Sequence, residues 1–255
     1  MNRIGRFFER IGMAPEAAVT MDAGFLGRVQ SACVCAIAYE NLDILAGRPI
    51  DLSPEALYDK IVLRGRGGYC FELNGFLAHM LREMGFEVTE RFSRYLRGEP
   101  ELPMRRHRVM LVKLEDGRYL CDIGGGQIAP RLPLKLEEGL VQVQGDETYC
   151  FKRDASLGWV LKDLHNGQWR DYICFGDEEA YDVDFIQPSF FCEKHPDSVF
   201  SKEPMIAIKT PEGRRTIDGR VYKVFKGDEL VYIEEDISDE RMSALLSGEF
   251  MLKAE

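Results

Sequence analysis

The chain has 255 residues, 45% of them hydrophobic, and a formal net charge of −10 at pH 7. A chain of this length buries a sizeable core in one large domain or several small ones, and its acidic balance argues against nucleic acid or an anionic membrane as a partner. No apolar stretch approaches the length of a membrane span, and Arg3, Arg6, Glu9 and Arg10 stand where a signal peptide has its apolar core, so a cytoplasmic protein is expected.

Residues 1–85 read as mostly helical, with Pro15 and Ser53-Pro54-Glu55 as helix starts. Leu73, Phe76, Leu77, Met80, Leu81 and Met84 recur at helical spacing until Gly85, so Cys70, just after Gly67-Gly68, is expected to open a buried helix. At that end the unpaired backbone N–H groups and the helix dipole favour an ionised sulfur, and Arg64 and Arg66 push the same way. A small apolar core cysteine is the plainer alternative. The position after a glycine turn favours a nucleophile.

From Glu87 to about Phe190 the pattern changes to short strands and turns. His107 opens a strand-like run to Val112, Asp116-Gly117 reads as a hairpin turn, and the return run Tyr119–Ile123 holds an acid, Asp122, in apolar surroundings. That turn pairs Leu111 with Asp122, which puts His107 and Asp122 on one face. They then lie four residues apart, on the order of 13 Å of strand, so bringing them together requires a bulge, a wider turn or strong barrel curvature. Otherwise Asp122 is a buried acid satisfied by backbone N–H groups. Of the other histidines, His79 reads as a helix boundary residue, and His165 and His195 as loop residues.

Gly124-Gly125-Gly126 lacks the context of a phosphate loop and is expected to let the backbone approach a ligand closely. Seven cysteines, an odd number with no CxxC pair, offer neither a disulfide framework nor metal-ligand spacing. The last part of the chain reads as a strand meander from Ile206 to Ile233, followed by an amphipathic segment from Ser238 to Phe250. Helices first and strands after imply an α+β fold in layered subdomains.

Several of these stretches together resemble the arylamine N-acetyltransferases: Ala38-Tyr39-Glu40-Asn41-Leu42-Asp43, Arg66-Gly67-Gly68-Tyr69-Cys70-Phe71-Glu72-Leu73-Asn74, His107 within a strand, and Asp122-Ile123-Gly124-Gly125-Gly126 followed by Pro130, Leu132, Pro133 and Leu134. The resemblance runs from about Arg10 to Leu134 and weakens beyond it. It implies a papain-like architecture: a helical bundle over 1–85, a β-barrel over 86–190 and an α/β lid over 191–255. It also implies a Cys70-His107-Asp122 triad, acetyl-coenzyme A as acyl donor, no metal, and an arylamine, hydrazine or hydroxylamine as acceptor. Tyr39, Tyr69, Gly124, Gly125 and Gly126 are then expected beside the substrate, with Glu40, Asn41 and Arg66 as structural support.

Two departures bear on the acceptor. Gly125 stands where the family usually has an aromatic, which implies a wider or more mobile acceptor pocket, and Ala38-Tyr39 replaces its usual Pro-Phe, where Tyr39 adds a hydroxyl. An acidic chain must also gather local Lys and Arg for an anionic donor. The alternatives on the same residues are an amide synthase, a thiol hydrolase, or a non-catalytic redox module that uses Cys70 as an oxidisable thiol.

Overall fold

A computed structural model describes residues 2–253. Five helices come first: α1 (Arg3–Arg10), α2 (Ala23–Ala36), α3 (Leu42–Leu45), α4 (Pro54–Tyr58), which runs into a π-helical turn at Asp59–Leu63, and α5 (Cys70–Glu83). Pro15 does not open a helix. Its segment is a turn, and α2 begins eight residues later, where the Asp22 carboxylate accepts from the Phe25 N–H at 2.7 Å. Ser53 does cap α4, and Gly85, at φ +98°, lies just past the end of α5.

Eight strands follow: β1 (Glu87–Tyr95), β2 (His107–Leu114), β3 (Gly117–Cys121), β4 (Leu134–Lys135), β5 (Gln142–Gln144), β6 (Glu147–Asp154), β7 (Gly158–His165) and β8 (Gln168–Phe175). They form one sheet in the order β4-β3-β2-β1-β8-β7-β6-β5 that curls into a nearly closed barrel. Two glutamine side chains bridge the gap between the edges. The Gln142 amide accepts from Lys135 N and donates to Lys135 O, and Gln144 does the same with Leu132, at 2.7–3.0 Å. Each amide supplies the donor and acceptor that a neighbouring strand would offer, so the edge is satisfied without a ladder.

Helix α6 (Ile186–Lys194) leads to a four-stranded antiparallel sheet of β9 (Met205–Thr210), β10 (Gly213–Asp218), β11 (Val221–Lys226) and β12 (Glu229–Glu234), and α7 (Asp239–Gly248) covers one of its faces. Position 190 therefore falls inside α6. No helix among the described residues is long and apolar enough to cross a membrane.

Helix α5 is the pivot. Its periodic apolar residues are all buried, and from Cys70 to Ala78 every residue is buried, because helices pack on one side and β2 on the other. Strand β2 is likewise covered on both faces: Met110 and Val112 meet the helices while Val109 and Leu111 fill the barrel. Truncating any one of these buried leucines to alanine is worth about 2–5 kcal/mol of stability. The strand's first residue, His107, is thereby held at the end of the barrel nearest α5.

The β2–β3 register differs from the expected one. Leu114 faces Gly117, Leu111 faces Leu120 and Met110 faces Cys121, so the two loop residues are Glu115 and Asp116. Gly117, at φ +138°, sits in the strand, where its freedom relaxes the turn without occupying it. Asp122, continuing the ladder, comes level with Val109, two residues from His107 rather than four. A diagonal of that kind spans about 7–8 Å between backbones, within reach of two side chains. No bulge is needed.

Candidate active site

His107 Nε2 and Asp122 Oδ2 lie 2.7 Å apart, and both side chains are almost fully buried. Because the carboxylate accepts, Nε2 carries the proton, which leaves Nδ1 as the free ring nitrogen. Asp122 is in turn held through Oδ1 by the Asn74 amide and the Gly124 N–H, both at 2.8 Å. Burial alone raises the Asp122 carboxyl, but His107, Asn74 and the Gly124 N–H outweigh it and hold the group below the usual carboxylate range. Asn74 also donates to Arg108 O at 2.5 Å and accepts from Ile123 N at 2.9 Å. It lies one turn after Cys70 on α5, so a single amide ties the helix of the thiol to both barrel strands that bear the acid and the imidazole. Sequence reading assigned Asn74 no role. Its signal was a polar residue one turn after Cys70 on the apolar, buried stretch Leu73–Ala78.

Cys70 is the first residue of α5 and is 3% exposed. Its thiol donates to Arg106 O at 3.8 Å, immediately before His107. Cys70, His107, Tyr39 and Gly124–Gly126 line one cavity of about 440 Å³, whose far side is formed by Phe200, Met205, Thr216, Lys223 and Phe225. Gly124 reaches Cys70 itself: a Cβ there would lie 2.7 Å from Cys70 Cα and 2.8 Å from the Asn74 amide. Only glycine allows the Asp122 turn to rest on the helix start.

The expected lowering of the Cys70 pKa is reversed. Burial pushes the thiol well above its ordinary value, Cys192 and Asp122 add to the rise, and the N–H groups of Phe71 and Arg108 oppose it. Neither arginine helps as expected. Arg66 pairs with Glu40 at 3.0 Å and Asp43 at 3.3 Å, and Arg64 pairs with Asp59 at 2.8 Å. A lone thiolate is therefore disfavoured here, so ionisation requires that the proton stay nearby on a base.

Two expected substrate residues face elsewhere. Tyr69 is fully buried, with its hydroxyl 2.5 Å from Ser189 Oγ and its ring packed edge-on against Phe71 and Phe200, so it lies in the wall rather than on the cavity. Gly125 borders the cavity with its backbone, but a Cβ on it would collide with the Tyr172 hydroxyl in the barrel interior. The missing side chain thus does not widen the cavity, because its direction is already filled from β8. Gly126, at φ +61°, faces the Tyr39 ring, with a Cβ position 3.6 Å from it.

Glu40, Asn41 and Arg66 are brought together near the turn. Glu40 accepts from Leu42 N at 2.7 Å, and the Asn41 amide donates to Phe200 O and Glu203 O at 2.8 Å, tying α3 to the segment before β9. Tyr39 joins the same layers through its backbone, exchanging hydrogen bonds with Ala207 at 2.8 and 3.0 Å. The other histidines are outside the cavity: His79 faces Asp182 at 3.5 Å, His165 pairs with Asp228 at 2.9 Å, and His195 is an exposed helix cap. Among the described residues, no three His, Cys, Asp or Glu side chains cluster as a metal site would require.

A family model described as N-acetyltransferase matches residues 22–255, which makes the chain an acyl-transferring enzyme on an α+β scaffold. It is 34% identical to the arylamine N-acetyltransferase of Mycolicibacterium smegmatis over 250 residues, 96% of this chain and 90% of that one. The structure of the Salmonella typhimurium arylamine N-acetyltransferase superposes with a TM-score of 0.93 at 28% identity, covering 99% of this chain and 92% of the other. That of the Mycobacterium marinum enzyme in complex with CoA gives a TM-score of 0.90 at 31% identity, covering 98% and 92%. The chain belongs to the arylamine N-acetyltransferase family.

Proposed function

We propose that the protein transfers an acetyl group from acetyl-coenzyme A to an arylamine, arylhydrazine or N-hydroxyarylamine through a Cys70 thioester, in two successive half-reactions. The carrying observation is the 2.7 Å His107–Asp122 contact on the cavity that Cys70 borders. His107 Nδ1 takes the Cys70 proton. The resulting thiolate–imidazolium pair is neutral overall, so burial opposes it far less than it opposes a lone thiolate. Asp122 holds the ring with Nε2 protonated and offsets the imidazolium charge.

In the first half-reaction the Cys70 sulfur attacks the thioester carbonyl. The tetrahedral oxyanion collapses as coenzyme A leaves with the proton from His107, and backbone N–H groups at the start of α5 are the nearest donors for that oxyanion. In the second, the amine attacks the Cys70 thioester, His107 takes its proton, and the amide departs as Cys70 regains its resting form. The bound coenzyme A of the Mycobacterium marinum relative supports the choice of donor. Water is the competing acceptor for the thioester, and the buried setting of Cys70 disfavours it.

Intact mass after incubation with acetyl-coenzyme A and no amine tests this reading. One acetyl group on Cys70, discharged by an added arylamine, is the expected result. An unmodified protein, or acetyl groups spread over surface lysines, would sink it.

A further inference from the structure

Behind the nucleophile turn lies a second charged cluster that the proposed chemistry does not use. Lys60, on the π-helical turn, contacts Glu72 Oε1 at 2.7 Å and Asp43 Oδ2 at 2.6 Å, while Arg66 contacts Glu40 and Asp43. All five side chains are buried, the most accessible at 7%. Three carboxylates therefore share two buried cations, with Arg48 touching Asp43 from the solvent side at 3.2 Å. One carboxylate in such a group holds its proton more readily than the others.

The contacts identify which one. Burial raises Asp43, but Lys60, Arg66 and Arg48 bring it down to about 2. Glu40 has Arg66 and the Leu42 N–H. Glu72 shares Lys60 and accepts from one backbone N–H, and burial, aided by Glu40, pushes it up to about 7 against the pull of Lys60. Lys60 itself stays protonated: burial lowers it, and Glu72, Glu40 and Asp43 more than restore it.

Glu72 is also built into the nucleophile turn. Its Oε2 accepts from the N–H of Tyr69 at 3.2 Å, Tyr69 caps α5 immediately before Cys70, and a Cβ on Gly68 would lie 2.9 Å from the Glu72 side chain. Taking Cys70 as the nucleophile, as proposed above, we infer that Glu72 is a positioning residue that fixes the Cys70 turn by joining the Tyr69 N–H to Lys60 as a carboxylate, and that protonating it slows acylation. Ionised, its two oxygens accept from both partners. Protonated, it keeps one acceptor and loses the charge that holds Lys60, so the turn loosens.

Rate and stability then move in opposite directions. Acylation falls as pH drops through about 7, the folded value of Glu72. For stability, the folded value lies above the reference 4.5, so between the two the native state binds more protons than the unfolded state. The contribution of Glu72 to stability therefore declines as pH rises across that window. A residue with a purely structural role would move rate and stability together.

The test combines ¹³C NMR of the protein labelled at its glutamate carboxyls with single-turnover acylation of Cys70 by acetyl-coenzyme A, both as a function of pH. In the wild type one glutamate carboxyl should titrate near neutrality, and an acid limb of the acylation rate should fall at the same pH. Glu72→Gln should remove that carboxyl signal and that limb and acylate roughly ten- to a hundredfold more slowly above neutrality, while the limb from the Cys70–His107 pair remains. Lys60→Met should move the carboxyl titration and the limb together to higher pH. A wild type without a near-neutral glutamate, or with carboxyl and rate titrating at different pH values, overturns the inference even if Glu72→Gln fails to fold. So does a Glu72→Gln enzyme with wild-type rate and limb. Absence of any acetyl transfer to Cys70 would instead strike the reaction proposed above, since the carboxyl titration is read without activity.

Discussion

The two walls of the cavity are built differently. On one, Cys70, His107, Asp122, Asn74 and Gly124 belong to a chain of hydrogen bonds and close backbone contacts in which almost every polar atom is engaged. On the other, Phe200, Met205, Thr216, Lys223 and Phe225 come from the segment before β9 and the strands of the small sheet, and the Lys223 ammonium has no hydrogen-bond or ion-pair partner among the described residues. The first wall has one arrangement, because moving any member strands a buried polar group. The second can change side chains without disturbing the first. On the mechanism proposed above, chemistry belongs to the over-determined wall, and discrimination between substrates is expected of the sparsely bonded one.

The strongest way to break this contrast is Asp122→Asn. It preserves shape but replaces the oxygen facing His107 with an amide N–H donor, while the remaining oxygen still accepts from Asn74 and the Gly124 N–H, so acylation should fall on the order of 10³- to 10⁴-fold, with the secondary structure intact by circular dichroism. A near-normal rate with lowered stability would make Asp122 a structural acid only.

A smaller effect is expected behind the first wall. Gly125→Ala places a methyl against the Tyr172 hydroxyl, a fully buried group without a hydrogen-bond partner, and should destabilise by about 1–3 kcal/mol in denaturant unfolding. Combining it with Tyr172→Phe removes the colliding oxygen and should recover most of that loss. If Gly125→Ala instead leaves stability unchanged and alters only the acceptor profile, the glycine faces the cavity after all.

The smallest effect is expected on the second wall. Lys223→Met removes the cation that this sheet contributes to the cavity lining, and should raise KM for acetyl-coenzyme A about two- to fivefold, as befits a half-exposed charge, with kcat unchanged and the difference shrinking at high salt. A change in kcat of comparable size would show that the two walls are coupled.

The legibility of these regions in sequence follows the same contrast. Helix α5 was readable from its 3.6-residue spacing, and Cys70 from the glycine turn before it, because both are local patterns. His107 and Asp122 were readable as the odd polar residues in apolar strands. Their contact was not, because it depends on a register two residues away from the one that Asp116-Gly117 suggests, with the loop moved by one position to Glu115 and Asp116. Pro15 misled for a similar reason: a helix start depends on what the preceding side chain can cap, and Asp22 supplied that seven residues later.

What sequence alone determined was the α+β order of elements and, through resemblance, the family; it also singled out the thiol, imidazole and carboxylate on which the proposed mechanism rests. Tertiary structure alone decided the environment of each group. Burial, a long-range property, turned the expected low Cys70 pKa into a high one. Packing from β8 filled the space that Gly125 leaves, and α6 drew Tyr69 into the wall. The Glu72 cluster joins five residues spread over 33 positions, 40 to 72, on four separate backbone segments. Charge balance among buried groups is set by which of them meet, and no periodicity along a chain encodes that meeting.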